Sequence, residues 1–434
     1  MKTKIFSIIA TCAILLFTSP SFAFQATFTP RISVNEEYTD NLFLSDENKE
    51  HDYITTVSPG FTAELLGKNI GATLSYDPGY TFYDRYSEND TWRHNARFSG
   101  WAEITKNTRL DVSDSFLRTE DPLTEADIVA LRVKDATAQI DNTVRRDRQT
   151  YCTNSAKINL THKFRENNSF NLGYTHYILE NEDETIEDKE SHNPSIGLIY
   201  WFSPHWGFDT DISYINAKFD TSDDYDEWKG TLKLLKKISR QLEGSVGYTH
   251  TTVNHNGDTE DYQTYNPFAG VTYSIAKDTS LSFDAGYFIH DNKNSASDSG
   301  LTSNLDLAIT RKRFSINLMG TSGHEESSSG AENLGYNKYQ EAGGSASYEL
   351  TRHVSGNIFG SFRDSKYKAL VTAREDKTTR CGLGLTIKPL TWMTIGISYT
   401  YQSVDSTIDT NDYDENCGLI KITLIPSTPF KFAK

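Results

Sequence analysis

Leu281-Ser282-Phe283-Asp284-Ala285-Gly286-Tyr287-Phe288-Ile289 decides the fold. Its odd positions are apolar, and the even positions Ser282, Asp284 and Gly286 are polar or small. Successive Cβ atoms of a strand point to opposite faces, so this pattern is a strand wetted on one face. The pattern recurs along the chain. Met393, Ile395, Ile397, Tyr399 and Tyr401 alternate with Thr394, Gly396, Ser398 and Thr400. Ala156, Ile158 and Leu160 oppose Lys157, Asn159 and Thr161, and Phe314, Ile316 and Leu318 oppose Ser315 and Asn317.

Short polar turns separate these runs, near 67–69, 106–108, 165–168, 203–205, 236–240, 277–279, 311–312, 351–353 and 389–390. Between them lie longer acidic connections: 40–52, 84–91, 181–190, 220–226, 254–261, 291–299, 325–337, 366–377 and 405–415. Tight turns at one end and long loops at the other mark an outer-membrane barrel. Nine turns with a strand at each terminus predict about 20 strands. Pro30 and two glutamates in the first strand leave 18 as an alternative.

Composition agrees. The 434 residues are only 37% hydrophobic but carry 24 Tyr and 23 Phe. Mean hydropathy is −0.56, which excludes a helical membrane bundle. The aromatic load argues against disorder. Trp92, Trp101, Tyr151, Phe164, Trp206, Trp228, Tyr265, Trp392, Tyr399 and Tyr401 fall where strands meet connections, as in interfacial girdles. The expected class is all-β: a transmembrane antiparallel up-and-down β-barrel. A soluble propeller or solenoid would repeat a motif, and none recurs beyond alternation.

Two lysines, an apolar run over 5–17 and small residues before position 24 read as a signal peptide over 1–23, cleaved after Ala23. The barrel is then one domain over 24–434, exported to the outer membrane, starting too soon after the cleavage site for a plug domain. Cys152, Cys381 and Cys417 are too few for a disulfide framework.

No nucleophile elbow, P-loop or zinc-ligand spacing is evident, so no enzyme, cofactor or metal is expected. The polar register carries the charge. Arg93, Arg97, Arg109, Lys157, Lys163, Arg363, Arg380 and Lys388 form a predicted basic lumen wall, with Lys229 and Lys233 on another strand. Asp209, Asp211, Asp284 and Asp306, with Glu243, form an acidic one. Facing walls would select ions or polymers, or else stiffen the barrel. The longest connection, 121–148, resembles a capped helix at Thr124–Asp127 and would plug the pore or lie outside as a lid. Its Arg145, Arg146 and Arg148 form a basic cluster suited to lipopolysaccharide phosphate or an acidic glycan. Expected partners are outer-membrane lipids, lipopolysaccharide, the barrel assembly machinery and a polysaccharide-export machinery. Nucleic acid is not expected with a net charge of −16.

The segment Thr29-Pro30-Arg31-Ile32-Ser33-Val34-Asn35-Glu36-Glu37-Tyr38-Thr39-Asp40-Asn41-Leu42-Phe43-Leu44-Ser45 resembles the opening of a family of outer-membrane β-barrel porins. Those barrels accompany exopolysaccharide biosynthesis and PEP-CTERM sorting loci. Thr56–Phe61, Leu74–Tyr83 and the closing Pro426–Phe430 are also similar. The resemblance implies a passive conduit for export or assembly of a surface exopolysaccharide. A general diffusion porin and a structural or adhesion barrel without an open pore are the alternatives.

Overall fold

The computed structural model describes residues 24–122, 143–144, 148–329, 332–367 and 374–433. The signal-peptide and Ala23 expectations lie outside these residues, as do Arg145, Arg146 and the capped helix. Strands follow in the order β1 (Gln25–Thr39), β2 (Asp52–Leu66), β3 (Ile70–Tyr83), β4 (Thr91–Thr105), β5 (Thr108–Thr119), β6 (Thr143–Val144) and β7 (Tyr151–Arg165). Then come β8 (Asn168–Asn181), β9 (Lys189–Trp201), β10 (Trp206–Phe219), β11 (Tyr225–Lys237), β12 (Leu242–His255), β13 (Tyr262–Ala276) and β14 (Thr279–Asn292). The series ends with β15 (Asp298–Thr310), β16 (Phe314–Ser329), β17 (Glu332–Glu349), β18 (Val354–Tyr367), β19 (Arg374–Leu390), β20 (Met393–Ser406), β21 (Tyr413–Leu424) and β22 (Phe430–Ala433).

Twenty long strands pair antiparallel with their chain neighbours, β5 with β7 across the short β6. β1 closes the ring in two pieces: its upper half pairs with β21 and its first residues with β22. Pro426 and Pro429 lie in the break between β21 and β22, where proline's missing N–H costs no ladder bond. Closure leaves no open edge, the condition for a sheet to sit in hydrocarbon. Pro30 lies within β1, opposite Phe61, so the first strand forms and the count is 20.

Register sorts the side chains. Ile32, Pro59 and Leu424 stand in one outward row, while Arg31 and Gly60 stand opposite each other inside. Outward residues are mostly apolar, for example Ile158, Leu172, Ile196 and Ile212. Phe164, Tyr200 and Phe208 stack as an outer girdle at the turn end. Tyr214 with Trp228, and Tyr248 with His250 and Tyr265, do so toward the loop end. Trp101 and Tyr151 depart from the expected girdle. Trp101 is paired with inward Asp111 and carries Arg109 over its ring, and Tyr151 is buried with Leu179 inside the loop end.

The turns use side-chain oxygens as backbone acceptors. Ser203 Oγ accepts from the N–H of His205 and Trp206, and Ser239 Oγ from Gln241 and Leu242. The last turn is at 391–392, because a register shift carries β19 through Pro389 and Leu390. The predicted loop 325–337 is instead mostly strand, since β16 and β17 extend to Ser329 and Glu332.

Candidate functional site

The loop end is narrowed from two sides. On one side the connection 40–51 turns into the barrel. Leu42 packs against inward Ile54 and Tyr83, and Leu44 against Val404 and Tyr413. Asn41 fixes this entry, donating from Nδ2 to the Ser45 and Asp414 carbonyls at 2.7 and 2.9 Å. Leu44 and Asn48 adopt left-handed backbone, with φ of 50° and 54°.

Beneath them lies an ion network. Arg93 binds Glu120 at 2.5 Å and Asp121 at 2.7 Å. The Tyr83 hydroxyl donates to Glu120 at 2.7 Å. Arg148 donates from Nε to the Leu42 carbonyl at 2.8 Å, and its Nη1 lies 3.5 Å from Asp121. The Arg148 side chain is only 5% exposed, and Arg145 and Arg146 lie outside the described residues. A guanidinium offers donors in a planar fork, so one buried Arg can tie a loop to a strand. The described ends of the 121–148 connection therefore reach the inside of the mouth.

On the other side β16 and β17 form an arm. Pairing of β15 with β16 ends at Ser303 and Ser322, above which β16 leaves the wall. His324 then packs on inward Phe288, ring centroids 4.6 Å apart, and Tyr336 on inward His290 at 3.8 Å. Lys338 holds Asp298 at 2.9 Å. Residues whose register would turn them outward thus cover the inner face of β13–β15. The backbone of β6 pairs with Ser328 and Ser329 of the arm. Arg363 anchors its base, donating to Glu341 at 2.8 Å and to Glu325, with its own side chain 5% exposed.

Beneath the arm lies a cavity of about 480 Å³, with Lys229, Thr251, Asn266, Asp284 and Glu325 among its lining. A second, of about 450 Å³, continues toward the turn end past Asp209, Lys233 and Glu243. Asp284 lines both.

Register places Arg93, Arg97, Arg109, Lys157, Lys163, Arg363 and Arg380 inward, and Asp209, Asp211, Asp284 and Asp306 inward, while Lys388 falls in the register shift of β19. They differ in what they can do. Arg93 and Arg363 are locked in buried ion pairs, and Arg109 pairs with Asp111 at 2.8 Å. Arg97 is exposed to the lumen. Lys233 lies 3.7 Å from Asp209, where the two walls meet. Sequence reading missed Glu120, Glu187, Glu325 and Glu341. Glu120 and Glu187 stand in connections, where alternation carries no signal, and Glu325 and Glu341 stand within β16 and β17, where alternation gives a face but not a partner.

The acidic loops are built as clasps. The N–H ending an ascending strand donates to an Asp near the start of the next: Tyr83 to Asp90, Asn181 to Asp188, Phe219 to Asp224, His255 to Asp261 and Ser406 to Asp412. Others tie neighbouring loops. Glu187 accepts the Thr221 N–H at 2.5 Å and the hydroxyls of Thr221 and Ser222 at 2.8 and 2.7 Å. Burial would raise its pKa, but the bonds from Ser222 and Thr221 outweigh this and lower it. The His255 N–H and Lys293 likewise lower Asp261.

A sequence profile of the family described as "Putative beta-barrel porin 2" matches residues 25–137 and 317–425, just over half the chain. No curated protein matches the sequence. Solved structures with a similar strand layout include the outer-membrane protein OpdK of Pseudomonas aeruginosa, at 8% identity and a TM-score of 0.43, covering 92% of this chain and 98% of that one. OccAB2 of Acinetobacter baumannii gives 13% and 0.43, covering 93% and 98%. A BenF-like porin of Pseudomonas fluorescens Pf-5 gives 8% and 0.44, covering 94% and 99%. With the closed twenty-strand barrel and the profile match together, the chain belongs to the "Putative beta-barrel porin 2" family and is a porin-like β-barrel of the outer membrane.

Proposed function

We propose that the protein is a passive channel for small hydrophilic solutes. The observation that carries this reading is the pair of cavities, the upper of mixed polar and aromatic lining and the lower mostly polar, that meet at Asp284 beneath a mouth narrowed by loop 40–51 and the β16–β17 arm. Hydroxyl, amide and charged groups of both signs line the path, which suits a solute that exchanges water for protein hydrogen bonds. Export of an exopolysaccharide, implied by the family resemblance, would need the arm and loop to swing aside and break their ion pairs. The basic and acidic arcs would set a transverse field that biases ion passage.

Proteoliposome swelling tests the reading. Monosaccharides should enter and trisaccharides should enter much more slowly. No swelling with any sugar would sink the channel reading and leave a structural barrel. Equal entry of large oligosaccharides, with loss of surface glycan on gene deletion, would favour export.

A further inference from the structure

The outward face carries a cluster that the channel does not use. His176 on β8 lies directly opposite His192 on β9, and Glu190 stands two residues from His192. His176 shares an outward row with Ala156, opposite Asp114, while the flanking row of Lys157, Thr175 and Asn193 faces the lumen. His176 Nε2 lies 2.9 Å from Glu190 Oε1 and His192 Nε2 lies 3.4 Å from the same oxygen. The three ligand atoms all fall within 4.8 Å of one another, and the imidazoles stack with centroids 4.7 Å apart. The Tyr174 hydroxyl is 2.8 Å from His192 Nδ1.

We propose that His176, Glu190 and His192 form a binding site for a divalent transition ion, with zinc as its natural occupant, on the outer face of the barrel toward its loop end. Two imidazoles and a carboxylate are borderline ligands that suit zinc. Ligands about 2.0–2.2 Å from a tetrahedral ion stand roughly 3.4 Å apart, close to the separations found here. In the tautomer where His192 Nδ1–H donates to the Tyr174 hydroxyl, the Nε2 lone pair is left for the site, the outer contact that orients metal-binding histidines. On binding, a proton on His176 Nε2 would leave for Nδ1 or solvent, so metal binding is coupled to proton release. Glu190 is 47% exposed, so water can complete the coordination. Lys218 sits opposite Glu190 on β10 and would compete for the carboxylate when the metal is absent.

The test uses the full barrel, folded in detergent without a polyhistidine tag and stripped with chelator. Titration with Co²⁺ should give one saturable equivalent with the visible bands of a low-coordinate site, displaced by Zn²⁺. His176→Ala with His192→Ala should abolish those bands while heat-modifiable migration on gels persists. Tyr174→Phe should keep the stoichiometry and weaken binding roughly ten-fold. Should the double variant fail to fold, Glu190→Gln, which keeps the side-chain shape, should weaken binding and alter the spectrum. No saturable equivalent in the unmodified barrel, or bands unchanged in the double variant or in Glu190→Gln, would overturn the proposal.

Discussion

Arg363 illustrates how much one lumen residue can carry. It is buried between Glu325 and Glu341, and Glu341 has a fully buried side chain. Removing the guanidinium takes away the cation that both carboxylates share. Arg363→Ala should cost about 3–5 kcal/mol, as loss of one partner of a buried pair does. The measurement is the urea midpoint of the detergent-folded barrel, with Arg97→Ala as the reference. Arg97 is exposed to the lumen, so its loss should move the midpoint little. Alternation along β4 and β18 already places both arginines inside. It cannot say that one is a strut and the other a pore charge, because the partners of Arg363 lie 22 and 38 residues away.

At the scale of elements, the clasps explain why acid gathers at one rim. Carboxylates there accept backbone N–H groups that a departing strand leaves unpaired. The sign of the pH dependence follows. Unfolded Glu and Asp titrate near about 4.3 and 3.9, and Glu187 and Asp261 titrate lower in the folded rim. Their contribution is complete above those values and is lost as pH falls through the depressed folded pKa. Hydrogen exchange in 182–188 and 256–261 should show protection constant from pH 7 to about 5, falling below about pH 4. The β16–β17 arm gives a second prediction. Replacing 324–337 by a tight Asn-Gly turn should raise single-channel conductance several-fold, because it opens the mouth over β13–β15. Unchanged conductance in planar bilayers would show that the arm does not limit flow. Alternation is blind to such an arm. His324 and Tyr336 keep a strand's period, and only the parting of β15 from β16 turns their outward face onto the inner wall.

Across the whole molecule, inward bases stand on β4, β5, β7, β18 and β19 and inward acids on β10, β14 and β15, with Lys229 and Lys233 of β11 among the acids and Asp111 and Glu341 among the bases. Arg97→Gln with Lys163→Gln should shift the reversal potential in a KCl gradient toward cation selectivity, and Asp284→Asn should shift it toward anions. Both shifts should shrink in 1 M salt, where the Debye length is about 3 Å. Shifts that ignore salt or run in the opposite sense would mean that the walls only stiffen the barrel.

Alternation, tight turns and acidic loops determined the class, a count of 20 strands with 18 as the alternative, and the side that most wall residues face. The reason is that strand period and turn chemistry are local and repeat in every hairpin. Only the tertiary structure decided the mouth. Loop folding brings Leu42 to Tyr83 and Arg148 to Asp121, the parting of β15 from β16 brings Tyr336 to His290, and the register of β8 on β9 brings His176 to Glu190. Such meetings depend on where loops fold and which strands part, and no short-range period encodes them.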